Sequence, residues 1–230
     1  MTSKIYKNYI AGEFISSDRL FDDINPVDGS LVARVAEADK LMVGKAVVAA
    51  KMALKGEWGK LSLVERCKLL RRIADGIEAR FDDFVDAEIA DTGKPQSHAR
   101  AIDIPRGAEN FRFFSDLART VSTECFEMDT PDGSGALNYA VRKPMGVIAV
   151  IAPWNLPLLL LTWKLAPALA MGNCVIAKPS EETPGSASLL AEVIHEVGLP
   201  SGVFNLLHGF GPGSTGEYLT KHEDIDAITF

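Results

Sequence analysis

The chain has 230 residues, 47% hydrophobic and 24% charged, a globular balance that excludes disorder for the bulk of the sequence. Its 24 Lys and Arg against 31 Asp and Glu give a net charge of −7, which argues against nucleic acid as a partner, because a phosphate backbone calls for a basic face. Cys67, Cys125 and Cys174 form no CxxC or zinc-type spacing, and MTSKIYKNYIAGEF has no apolar signal core; the expectation is a cytoplasmic protein with no disulfide and no metal.

Residues 6–10 and 13–15 flank Ala11-Gly12 as a hairpin, and Asn25-Pro26-Val27-Asp28-Gly29 turns the chain into a strand at 31–35. Asp39 caps a helix running to residue 54, with Val43, Ala46, Val47, Ala50 and Leu54 on its apolar face. Ser62 and Glu65 stand at capping-box spacing before a helix bearing Leu63, Leu69, Leu70, Ile73 and Ile77. A helical pattern over 81–91 ends at Thr92-Gly93-Lys94-Pro95, and one further helix is predicted over 96–117. Between 124 and 143, Phe126, Met128, Leu137, Tyr139 and Val141 alternate around a Pro-Asp-Gly-Ser-Gly turn. That pattern predicts a long hairpin whose open edge needs a partner strand, hence a homodimer or homotetramer.

Residues 146–178 are apolar enough to raise the question of a membrane. Pro153, Asn155, Pro157, Lys164 and Gly172-Asn173 interrupt the run, whereas a spanning helix needs about 20 unbroken apolar residues. The region reads instead as buried strands and helices: strands at 146–152, 174–178 and 203–208 and one beginning near 226, with helices at 157–171, 184–197 and 213–221. Alternation of that kind predicts an α/β fold with a doubly wound parallel sheet. Three regions follow. Hairpins and helices over 1–123 pack on a nucleotide-binding unit, 124–144 is the oligomerisation hairpin, and 145–230 carries Rossmann-like βα units truncated at the C-terminal end.

In such a sheet, ligands bind beyond the carboxyl ends of the strands. Ala152-Pro153-Trp154-Asn155, Lys178-Pro179-Ser180-Glu181 and Gly209-Phe210-Gly211-Pro212-Gly213 occupy that rim, and no GxGxxG follows the first strand. From the residues alone, Asn155 is either an amide donor or the cap of the helix beginning near Leu156. Lys178 and Glu181 are either ligand groups or a solvated strand end, and Trp154 is either a cofactor wall or core. Lys164 reads as a snorkelling or capped structural lysine, and His98, His195, His208 and His222 have no ligand-like spacing.

The wording of these segments is that of a known family. NPVDGSLVARV, KPMGVIAVIAPWNLP, TWKLAPALAMGNCVIAKPSEETP and HGFGPG resemble the NAD(P)-dependent aldehyde dehydrogenases over the whole chain. WNLPLLLLTWK, KPSEETP, PDGSGALNY and DIPRGAENF are most similar to those members that act on 2-hydroxymuconic or 2-aminomuconic semialdehydes. The resemblance implies NAD-dependent oxidation of an aldehyde to a carboxylate in the breakdown of aromatic compounds. A cysteine thiolate attacks the aldehyde, the Asn155 amide supplies half of the oxyanion hole, and water releases the product from a thioester. It implies a cofactor site of Ile151, Ala152, Pro153, Trp154, Lys178, Ser180, Glu181 and Gly211. Lys178 and Glu181 hold the adenosine ribose, and the Glu181 carboxylate favours NAD over NADP.

For the substrate, the resemblance implies Arg106, Asn110, Leu156 and Trp163, with Arg106 reading a carboxylate at the end opposite the aldehyde. The bland alternative for Arg106 is a surface ion pair with Asp103 or Glu109. None of the three cysteines occupies the family's catalytic position. The nucleophile and the water-activating glutamate are expected beyond Phe230, and the chain alone is expected to be inactive. The rival readings are a non-catalytic nucleotide-binding or interaction module, and an enzyme for another aldehyde, of betaine or aliphatic type.

Overall fold

The computed structural model describes residues 4–230, so the first three residues of the N-terminal stretch lie outside the described residues. β1 (Ile5–Tyr6), β2 (Asn8–Ile10) and β3 (Glu13–Ile15) open the chain. β2 and β3 form the expected hairpin, turning through Ala11 at φ 55° and Gly12 at φ 90°, two consecutive left-handed residues whose twist suits a hairpin. Asn205 Oδ1 accepts the Ala11 N–H at 3.0 Å and holds the turn. β4 (Leu20–Ile24), which the periodicity did not predict, pairs antiparallel with β5 (Leu31–Ala36), and β1 joins the other edge of β5 in parallel.

α1 (Lys40–Lys55) begins where the Asp39 carboxylate accepts the Met42 N–H at 2.8 Å. α2 (Glu57–Lys60), a single turn absent from the sequence reading, buries Trp58 completely and aims its Nε1–H at the Gly172 carbonyl, 3.1 Å away. The capping box forms as expected on α3 (Leu63–Ala79), with both the Ser62 and the Glu65 bonds present. α4 (Phe81–Thr92) stops at Gly93, whose φ of 68° suits a residue without Cβ.

The helix expected over 96–117 is not continuous. It consists of α5 (Gln96–His98), a π-helical stretch (Ala99–Asp103) and α6 (Ile104–Ala118). Pro105 has no N–H to give to the preceding turn and its ring crowds that turn, so the backbone widens there instead of running on as α-helix.

β6 (Cys125–Met128) and β7 (Ala136–Tyr139) form a separate two-stranded sheet, shorter than the predicted hairpin, with Val141 exposed beyond its end. The alternating units follow: β8 (Val147–Ile151), α7 (Pro157–Ala170), β9 (Cys174–Lys178), α8 (Gly185–Val197), β10 (Phe204–Leu206), α9 (Thr215–Thr220) and β11 (Ala227–Thr229). The main sheet runs β11-β8-β9-β10-β2-β3; its first four strands are parallel, and β2 joins β10 antiparallel through Tyr9 and Leu206. Residues 1–123 therefore supply two strands to the same sheet as 145–230. β9, at the centre, is buried at every position, which is why residues 174–177 read as an apolar run, with only the buried Lys178 charged at its end.

Candidate functional site

A cleft of about 480 Å³ opens at the carboxyl ends of β8 and β9. Ile151, Ala152 and Pro153 form one wall, Lys178, Ser180 and Glu181 another, and Gly211 and Pro212 of the glycine loop a third. Seven of these eight were named singly from the sequence, and Pro212 belongs to the glycine loop expected on that rim. Gly216, Glu217 and Thr220 of α9 close the cleft and were missed.

Lys178 is 4% exposed, and its Nζ donates to the Pro179 carbonyl at 2.9 Å and to Glu181 Oε2 at 3.2 Å. Burial pushes its pKa down, and the Glu181 charge opposes that shift. Beneath it His208 is fully buried and pushed down to about 3 by desolvation, with Lys178 adding to the effect, so the imidazole stays neutral. Gly209, at φ 147°, brings the loop against α9: a Cβ there would meet Thr215 Oγ1 at 2.1 Å. Gly211 has open space where its Cβ would stand.

α7 begins at Pro157 with Leu156, half-buried, as its N-cap, and that cap carries no side-chain hydrogen bond. Asn155 therefore does not cap the helix. Its carboxamide is exposed and has no hydrogen-bond partner among the described residues. Trp154, 63% exposed, stands outside the cleft wall, which corrects its expected place there; the β8–α7 turn carries its indole out to solvent.

α6 and α7 pack closely enough that a Cβ on Gly107 would meet Leu158 Cδ2 at 2.7 Å. Arg106, on the exposed side of α6, sets its guanidinium 5.9 Å from the Trp163 ring centroid, and Phe114 meets the same ring edge-on at 6.4 Å. The alternative pairing of Arg106 with Asp103 does not occur, because Asp103 is buried and paired with Lys94. Asn110 departs from its expected role. It is 4% exposed, and its Nδ2 donates to the Leu159 carbonyl at 3.1 Å and to Thr162 Oγ1 at 2.9 Å, so it ties α6 to α7 rather than lining a substrate site. Lys164 donates to the Leu160 carbonyl.

Cys67 and Cys174 are buried and Cys125 is exposed. Desolvation raises the Cys67 thiol and pushes Cys174 up to about 12, which keeps both protonated and poorly nucleophilic at neutral pH. Among the described residues no helix is long and apolar enough to cross a membrane, and no cluster of three or more metal-binding side chains occurs.

The sequence pattern described as the aldehyde dehydrogenase family matches residues 14–230. The chain is 60% identical over 229 residues to a 2-hydroxymuconic semialdehyde dehydrogenase of Pseudomonas sp. (strain CF600), covering 99% of this chain and 47% of that protein. It is 58% identical over 227 residues to a 2-aminomuconic 6-semialdehyde dehydrogenase of Pseudomonas sp., covering 99% and 46%. Among solved structures, an NAD+ complex of an aldehyde dehydrogenase from Bacillus cereus superposes with a TM-score of 0.93 at 35% identity, covering 98% of this chain and 45% of that one. The chain thus spans about half the length of the curated relatives it matches.

Proposed function

Because this chain belongs to the aldehyde dehydrogenase family, we propose that it supplies the cofactor-binding and oxyanion-binding half of an NAD-dependent muconic semialdehyde dehydrogenase. One observation carries the reading: a single cleft at the strand ends gathers the Lys178–Glu181 pair, and β8, which forms its other wall, leads directly to Asn155. The donor set suits a dinucleotide. Glu181 offers carboxylate oxygens to a pair of ribose hydroxyls, Lys178 donates beside it, and Gly211 leaves space for close approach of a bulky ring.

In this reading Ile151, Ala152 and Pro153 give the cleft a dry wall, and Lys178 with Glu181 fixes the ribose. NAD, when bound, supplies the two-electron acceptor. The Asn155 amide donates to the carbonyl oxygen as negative charge develops on it, a task for a group that gives a hydrogen bond without ionising. The attacking thiolate is none of Cys67, Cys125 and Cys174, and the reading assigns it to the half of the enzyme that corresponds to the rest of the relatives. Arg106 holds the substrate's distal carboxylate, with the Trp163 ring against its guanidinium. The relatives' names and the lack of any ion pair on Arg106 among the described residues support that choice over a neutral aldehyde.

The β6–β7 hairpin is the assembly element of a homodimer or homotetramer in the cytoplasm. Its exposed Phe126, Leu137 and Tyr139 support that assignment.

Cofactor choice tests the core of the proposal. Glu181→Ser removes the charge that would face a 2′-phosphate, so the NADP/NAD ratio of kcat/KM in the complete enzyme should rise by about tenfold or more. An unchanged ratio would place Glu181 away from the ribose and remove the main support for the site.

A further inference from the structure

Asn155 can act on a developing oxyanion only if its carboxamide is held in place, because catalysis of this kind rests on donors fixed before the reaction begins. Its own side chain has no anchor, and the helix that follows is not capped by it. Among the described residues, one hydrogen bond ties the Pro153–Asn155 turn to the rest of the molecule: Lys94 Nζ donates to the Asn155 carbonyl at 3.2 Å.

Lys94 itself is tightly seated. It follows the Gly93 stop of α4 and is 12% exposed, between Glu88 of α4 (Oε1 at 3.3 Å) and Asp103 of the π-helical stretch (Oδ2 at 2.5 Å). Those two carboxylates are 0% and 2% exposed. An ammonium has three donors, and here they reach three acceptors on three separate elements. The two carboxylates fix the cation, and the third proton fixes the carbonyl. Orienting that carbonyl sets the Asn155–Leu156 peptide plane, and through it the direction in which the Asn155 side chain leaves the backbone.

We propose that Lys94 is a positioning residue for Asn155, its ammonium bridging the buried Glu88–Asp103 pair to the Asn155 carbonyl and thereby aiming the carboxamide. The proposal rests on the oxyanion role given to Asn155 above. It also gives the π-helical stretch a purpose, since that stretch carries Asp103 to the ammonium.

A double-mutant cycle on the complete enzyme with NAD and a muconic semialdehyde tests the idea. Lys94→Met should lower kcat by about ten- to a hundredfold, short of the hundred- to thousandfold typical when an oxyanion donor is lost outright, as in Asn155→Ala. The dissociation constant for NAD, read by fluorescence titration, should move little. In the Asn155→Ala background, Lys94→Met should cost almost nothing further, because the group it aims is already gone. If Lys94→Met does not fold, Asp103→Asn takes its place: it keeps the shape, loosens the cation, and should show the same loss and the same non-additivity at smaller size. Losses that multiply in the double variant, or an unchanged kcat in the single one, would overturn the positioning role. An Asn155→Ala enzyme that keeps its turnover would instead overturn the oxyanion reading beneath it.

Discussion

Replacing Asn110 by Ala separates a helix clamp from a substrate contact. The amide donates to Leu159 O and Thr162 Oγ1, and the variant loses both bonds. Neither acceptor is stranded, since Thr162 Oγ1 still donates to Leu159 O at 3.1 Å, so the bonds should account for about 2 kcal/mol together. The void left by the carboxamide in a site only 4% exposed adds about 1 kcal/mol. A total near 3 kcal/mol corresponds to a fall in Tm of about 6–12 °C at this chain length. Asn110→Asp should be worse, because it points a carboxylate at the Leu159 carbonyl. Differential scanning calorimetry and urea titration read the loss, and KM for the aldehyde reads the rival role. A stability change below about 0.5 kcal/mol with a raised KM would refute the clamp.

Arg106→Ala should cost a carboxylated semialdehyde about 2 kcal/mol in kcat/KM while a neutral aldehyde of similar length loses far less; equal losses would mean that Arg106 does not read the carboxylate. Burial raises the pKa of both Asp23 and Asp91, and the charge of Asp23 raises Asp91 further. Native pKa values above the unfolded ones mean that the folded state binds protons more tightly there, so the contribution of this pair to stability is fully present below the ordinary carboxylate range and is lost as pH rises through the raised values. Asp91→Asn keeps an acceptor for the Gly185 N–H and should flatten the fall in Tm between pH 5 and pH 8, measured by thermal melts; a wild-type slope in the variant would count against it.

Signals confined to a few neighbouring residues were legible in the sequence. Asp39, the Ser62–Glu65 box and Gly93 each mark a helix end through a local hydrogen bond or dihedral, and each is where it was expected. β4 was hidden because LFDDI carries two carboxylates, one of which, Asp23, is buried against all expectation for its type. Arg106 and Asn110 are four apart, which suggested a shared face. Yet the buried stripe of α6 passes through Ile104, Gly107, Ala108, Asn110 and Phe111, and Arg106 falls just outside it. The cleft was half legible: β8, β9 and the glycine loop announced their residues by order along the chain, whereas Glu217 and Thr220 reach it only through the packing of α9. Lys94 carried no signal at all, because its three acceptors are 6, 9 and 61 positions away.

The seat of β2 beside β10 has a consequence for biosynthesis. Tyr9 is synthesised nearly two hundred positions ahead of its pairing partner Leu206. At ordinary elongation rates the wait is roughly 10–40 s. Throughout that interval the hairpin of β2 and β3 can close on itself through its Ala11-Gly12 turn, but it presents an unsatisfied strand edge together with Tyr9 and Ile10, which are buried only once the sheet assembles. The β2–β3 hairpin is therefore made before β10 but seated only after it, whereas β8, β9 and β10 leave the ribosome in the order in which they pair.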